Sequence, residues 1–134
     1  MTDFSPALPV NGDRLVNRLK ALGQVGALPE GGVCRLALTP EDGAGRDLVV
    51  GWMREQGLEV AIDPIGNIFG TRKGTQAGPS VMMGSHIDTV ATGGLYDGNL
   101  GVLAGLEVLQ ALDDAQISTV HPVTVAAFTN EEGA

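Results

Sequence analysis

Two short apolar runs, Val81-Met82-Met83 and Val123 to Phe128, bracket a longer one from Leu100 to Leu112, and this order limits the folds open to the chain. The first run reads as a strand over Ser80–Ser85, and its lack of alternation predicts a strand buried on both faces of a sheet. In the middle run Leu100, Val102, Leu103, Ala104, Leu106, Val108 and Leu109 wrap most of a helical circumference. That pattern predicts a buried helix over Asn99–Leu112 rather than an amphipathic one. Pro122 opens the third run, a strand over Val123–Phe128. Strand, helix and strand in this order make a β-α-β unit over residues 80–128, with parallel strands joined by a right-handed crossover. The fold class is therefore α/β.

This topology has a geometric consequence. The carboxyl ends of both strands and the N-terminus of the helix between them lie on one edge of the sheet, the edge where open α/β sheets place their ligands. His86 and Asp88 leave the first strand there, Asp97 precedes the helix there, and Glu131 and Glu132 follow the second strand there. An imidazole with carboxylates suits zinc, manganese or cobalt, and Cys34 lies too far away in sequence for a thiolate site. Asp88, two residues after His86, is placed to bond the other imidazole nitrogen and fix the tautomer. Adjacent glutamates point opposite ways on an extended backbone, so one binds metal while the other stays free to handle a proton. Metal-activated water with a free carboxylate as general base is hydrolytic chemistry. Each motif alone has a blander reading, since His-x-Asp triplets and Glu-Glu turns are commonplace; their joint placement on one edge carries the inference. The Gly-rich loop 93–98 lacks a phosphate-cradling pattern, and His121, at the opposite strand end, reads as structural.

The rest of the chain supports this unit. Residues 1–12 read as a loose leader and 13–134 as a catalytic domain, opened by a helix from a capping Asp13 to about Val25. Thr39-Pro40-Glu41-Asp42 starts a second helix that Gly57 ends. Trp52 on it reads as a core residue. Residues 58–72 form a hairpin around the turn Asp63-Pro64-Ile65-Gly66-Asn67. Residues 26–32 read as a loop, and Cys34, Leu36 and Leu38 alternate only weakly with polar residues.

With 43% apolar and 18% charged residues the chain is globular. A net charge of −8 opposes nucleic acid and anionic membranes as partners. One cysteine precludes an intrachain disulfide and points to a reduced, cytoplasmic setting. There is neither a signal-peptide pattern nor an apolar run near the roughly 20 residues that span a bilayer.

Four motifs in order, Gly84-Ser85-His86-Ile87-Asp88-Thr89-Val90, Gly93-Gly94-Leu95-Tyr96-Asp97-Gly98, Gly101-Val102-Leu103-Ala104-Gly105-Leu106-Glu107 and Thr129-Asn130-Glu131-Glu132-Gly133, resemble the amidase/carbamoylase branch of the M20 metallopeptidase superfamily. That branch holds N-carbamoyl-L-amino-acid hydrolases, β-ureidopropionases and allantoate amidohydrolases. The resemblance implies the N-terminal part of a zinc-exopeptidase-like catalytic domain, a mixed sheet with flanking helices. It implies a site of two divalent metal ions, with His86 on one, Glu132 on the other and Asp97 bridging them. Glu131 would be the general base and Asp88 would orient His86. The substrate would be a small ureido or amide compound, with a superfamily exopeptidase as the alternative. Family members are longer, carry an inserted dimerisation domain and draw further histidine ligands from beyond Glu132. The chain is therefore expected to be an N-terminal fragment of a homodimeric enzyme, inactive alone, and a non-catalytic metal-binding fragment is the rival expectation.

Overall fold

The computed structural model describes residues 7–134, so the first half of the expected leader lies outside it. Three helices and four strands follow one another as α1 (Gly12–Gly23), α2 (Pro40–Glu55), β1 (Glu59–Ile62), β2 (Ile68–Arg72), β3 (Val81–His86), α3 (Asn99–Asp114) and β4 (Val123–Phe128). Helix α1 begins two residues earlier than expected. Asn11, not Asp13, is its cap, accepting the Arg14 N–H at 3.0 Å, and Asp13 sits in the first turn facing the positive end of the dipole. Helix α2 starts as read, with Thr39 capping the Asp42 N–H and Pro40 in the first turn. Gly57 follows its end at φ +73°, a backbone that favours glycine.

The sheet order is β1-β2-β4-β3. The β1–β2 hairpin and the β2–β4 pair are antiparallel, whereas β3 and β4 are parallel with His86 opposite Phe128. The sheet is thus mixed, and the β-α-β unit forms as expected. Strand β4 is central, and five of its six residues, Val123 to Ala127, are buried. They pack against Val102, Leu103, Leu106 and Leu109 of α3, with Leu22 of α1 and Val49 and Met53 of α2 completing the core. Trp52 packs at the margin of that core, as expected, with Arg18 over its ring.

Two burial expectations are corrected. Strand β3 is not covered on both faces: Val81 and Met82 are 59% and 50% exposed. Its apolar run belongs to an edge strand, with β4 on one side only. Helix α3 is likewise not buried all round, since Leu100 and Val108 face solvent. Its sheet-facing side is instead marked by small residues. A Cβ on Gly101 would lie 2.6 Å from Ser85 Cβ, and one on Gly105 3.0 Å from Val125 Cγ2. These absences of side chain let α3 lie close on β3 and β4, which brings its N-terminus to the strand ends. Among the described residues no helix is long and apolar enough to cross a membrane.

Candidate functional site

His86 is the last residue of β3 and is buried. Its Nδ1 lies 3.0 Å from the backbone oxygen of Asp88. A carbonyl only accepts, so Nδ1 carries the proton and the Nε2 lone pair is left free to ligate. Nε2 points to Glu131, with Oε2 at 3.4 Å. Gly98 makes room for the ring: a Cβ there would meet Cε1 and Nε2 at 2.5 Å and Nδ1 at 2.6 Å. Gly98 also sits at φ +66°, ψ −49°, which side chains disfavour. In the sequence this glycine stands only as one residue of the Gly-rich loop 93–98. Gly98→Ala should cost about 1–3 kcal/mol for the backbone alone and displace the imidazole, so calorimetry should show weakened zinc binding.

Glu131 and Glu132 do not lie on extended backbone. A turn after β4, with Asn130 at φ +53°, carries both toward His86. One ligand atom each from His86, Glu131 and Glu132 lies within 4.8 Å of the other two. The sequence argument that adjacent glutamates diverge thus fails here, because the strand has already ended. Asp97 is exposed and stands outside that trio, yet its carboxyl makes a hydrogen bond to Glu132. This bond, with the Asp97 charge, raises the Glu132 pKa above the ordinary carboxylate value. The His86 imidazole nitrogen with the Glu131, Glu132 and Asp97 carboxyls forms a donor set that a divalent cation would satisfy.

Asp88 behaves differently from its expected role. Its carboxylate stays 3.6 Å from Nδ1, too far for a hydrogen bond, and the backbone carbonyl orients the ring instead. The carboxylate, 3% exposed, accepts the N–H of Glu131 at 3.2 Å and of Glu132 at 3.1 Å. It ties the turn carrying both glutamates to the exit of β3. The Asp63–Asn67 turn supports the same rim. Asn67 accepts the Thr129 N–H at 2.9 Å, and Arg46 donates to Gly66 O and Thr129 Oγ1. Within that turn the Asn67 side chain and the amides of Ile65, Gly66 and Asn67 donate to Asp63 and hold its pKa below 3.8. A depressed acid stabilises above its unfolded value and ceases to as pH falls through the folded one. The amide resonances of residues 65–67 should therefore stay native at neutral pH and shift only as pH falls below 3.8.

The largest omission of the sequence reading is Arg35, which is fully buried. Its only signal was a lone cation inside Val33-Cys34-Arg35-Leu36, in the segment where alternation was weak. His121, exposed beside Pro122, stands apart from the site as expected.

The model for peptidase family M28 matches residues 67–134, the second half of the chain. The chain is 49% identical to an N-carbamoyl-L-amino acid amidohydrolase of Geobacillus stearothermophilus over 93% of its length and 31% of the relative's. It is 38% identical to an allantoate amidohydrolase of Bacillus subtilis, over 89% of this chain and 29% of that one. A solved hydantoinase/carbamoylase family amidase from Burkholderia ambifaria superposes with a TM-score of 0.93 at 48% identity, over 95% of this chain and 32% of that one. The chain thus spans about a third of the length of these relatives. The amidase/carbamoylase resemblance is borne out, and the family model that matches carries the number M28 where the motifs suggested M20.

Proposed function

The chain belongs to peptidase family M28, and from that premise we propose that it supplies the catalytic rim of a metal-dependent amidohydrolase acting on non-peptide C–N bonds of ureido type. The single observation that carries this reading is the convergence of His86 Nε2 with Glu131 and Glu132, and of Glu132 with Asp97. The names of the amidohydrolase relatives support the substrate class. His86, Asp97 and Glu132 would hold divalent cations, zinc or else manganese or cobalt, two of them in the complete protein, with further ligands from outside this chain. When bound, such ions polarise a carbonyl and lower the pKa of a water.

The remaining work falls to the chain's own groups. The hydrogen bond from Nδ1 to the Asp88 carbonyl keeps His86 in the ligating tautomer. Asp88 holds the Glu131-Glu132 turn through two backbone amides. Glu131, the more exposed glutamate, would take a proton from the attacking water and return it to the departing nitrogen. The products from a carbamoyl group would be ammonia, carbon dioxide and the free amine.

Release of ammonia from an N-carbamoyl-L-amino acid, ureidopropionate or allantoate by the complete protein should depend on divalent cations and stop with a chelator. The family model favours one rival specifically, hydrolysis of a peptide bond. A dipeptide panel run beside the ureido compounds decides: faster turnover of dipeptides overturns the ureido assignment.

A further inference from the structure

We propose that Arg35 is the positioning residue of this site, one buried guanidinium that holds the segments carrying His86, Asp97 and the Glu131-Glu132 pair in register. The proposal deepens the reading above and rests on it for the site's purpose.

The Arg35 guanidinium donates to four acceptors on three segments. Nε donates to the backbone oxygen of Ile87 at 2.8 Å, the residue between His86 and Asp88. Nη2 donates to Asn99 Oδ1 at 2.9 Å. Asn99 in turn donates from Nδ2 to Leu95 O at 3.0 Å, closing the loop that contains Asp97 and Gly98. One rigid plane thus joins the exit of β3 to the entry of α3. Nη1 donates to Leu22 O at 2.9 Å and Val25 O at 2.7 Å, fastening that plane to the end of α1 and so to the core. The backbone adds a second tie, with the Arg35 N–H donating to Thr89 Oγ1 at 2.7 Å and the Thr89 N–H donating to Arg35 O at 2.9 Å.

The third segment is reached through Asp88, which follows the Ile87 carbonyl that Arg35 holds and whose carboxylate accepts the amides of Glu131 and Glu132. Among the described residues no carboxylate oxygen lies within ion-pairing distance of the Arg35 nitrogens. A buried cation without a contacting counter-ion is costly, and its donors being used on backbone carbonyls and one amide is what makes it tolerable. Gly45 on α2 completes the fit, since a Cβ there would lie 2.7 Å from Arg35 Cδ. Lysine cannot replace this group: it keeps the charge but has no planar fork to span Ile87, Asn99 and the end of α1 together.

The chain has two histidines, which makes the test direct. Long-range proton–nitrogen spectra of the full chain read the tautomer of His86, with exposed His121 as internal reference. Arg35→Lys and Asn99→Ala are compared with wild type, each with a thermal melt and a calorimetric titration of zinc alone. The expected result is a cooperative melt, a His86 signal that moves from one tautomer toward a mixture while His121 stays put, and zinc affinity lowered about 10- to 100-fold. Should Arg35→Lys fail to fold, Asn99→Ala decides, because it releases the loop that carries Asp97 and Gly98, and Gly98 lies against the His86 ring. An unchanged His86 tautomer in a folded variant overturns the proposal, as does loss of zinc affinity only in proportion to the unfolded fraction. If wild type binds no zinc, the metal reading fails while the tautomer shift still decides the role of Arg35.

Discussion

Glu131→Gln in the complete protein should lower turnover by about 10²- to 10⁴-fold, the usual contribution of a positioned general base, while cations stay bound. The amide matches the carboxylate in shape and still offers an oxygen, but it cannot take a proton at neutral pH. The geometry makes this a sharp test of role. Glu131 Oε2 lies 3.4 Å from His86 Nε2, inside the same cluster as Glu132. Were Glu131 a ligand, the substitution would strip the cation as well as the activity. Calorimetry beside kinetics separates the two: near-normal turnover removes Glu131 as the base, and collapsed affinity reassigns it as a ligand. Glu132→Gln should give the opposite pattern, with cation affinity falling first, because Glu132 also shares a hydrogen bond with Asp97.

Asp88→Ala should destabilise the fold by about 2–4 kcal/mol, from the loss of two hydrogen bonds to a buried carboxylate and the amides left without a partner. The carboxylate is 3% exposed, so water does not readily replace it. The local outcome matters more than the total. His86 keeps its orienting bond, because that bond goes to the backbone oxygen at position 88. The turn at Glu131 and Glu132 loses its hold on β3. Urea unfolding should show the loss of stability, and hydrogen exchange should show the amides of residues 131 and 132 losing protection while the His86 tautomer is unchanged. Protection retained at both amides, with stability within about 0.5 kcal/mol of wild type, would mean that Asp88 does not hold the turn. Asp88→Asn should fall between, since the amide keeps one acceptor and turns a donor toward an N–H.

The places where sequence and structure parted have a common origin. The apolar run of β3 looked like a strand covered on both faces, but Val81 and Met82, which point to opposite faces, are both exposed. Apolarity records what a segment can be buried against, and the packing of neighbouring elements decides what is there. The divergence of Glu131 and Glu132 was argued from extended geometry, yet Asn130 at φ +53° begins a turn that points both toward His86. Asp88 was correctly placed at the site and incorrectly bonded. Its spacing to His86 was visible, whereas the amides it accepts come from residues more than forty positions away. Gly98 stood in the sequence as one residue of a Gly-rich loop, and it matters for the imidazole lying against it.

The amino-acid order alone determined the strand-helix-strand unit, its parallel pairing and the edge on which His86, Asp97, Glu131 and Glu132 meet. Periodicity, caps and chain connectivity are local or topological, so they can be read without coordinates. Only the tertiary structure decided that β3 is an edge, that Asp88 clamps the glutamate turn and that Arg35 is buried among the carbonyls of α1 and the β3 exit. Those outcomes depend on which distant groups meet in a water-poor interior, where each donor must find an acceptor, and no local pattern records that partner.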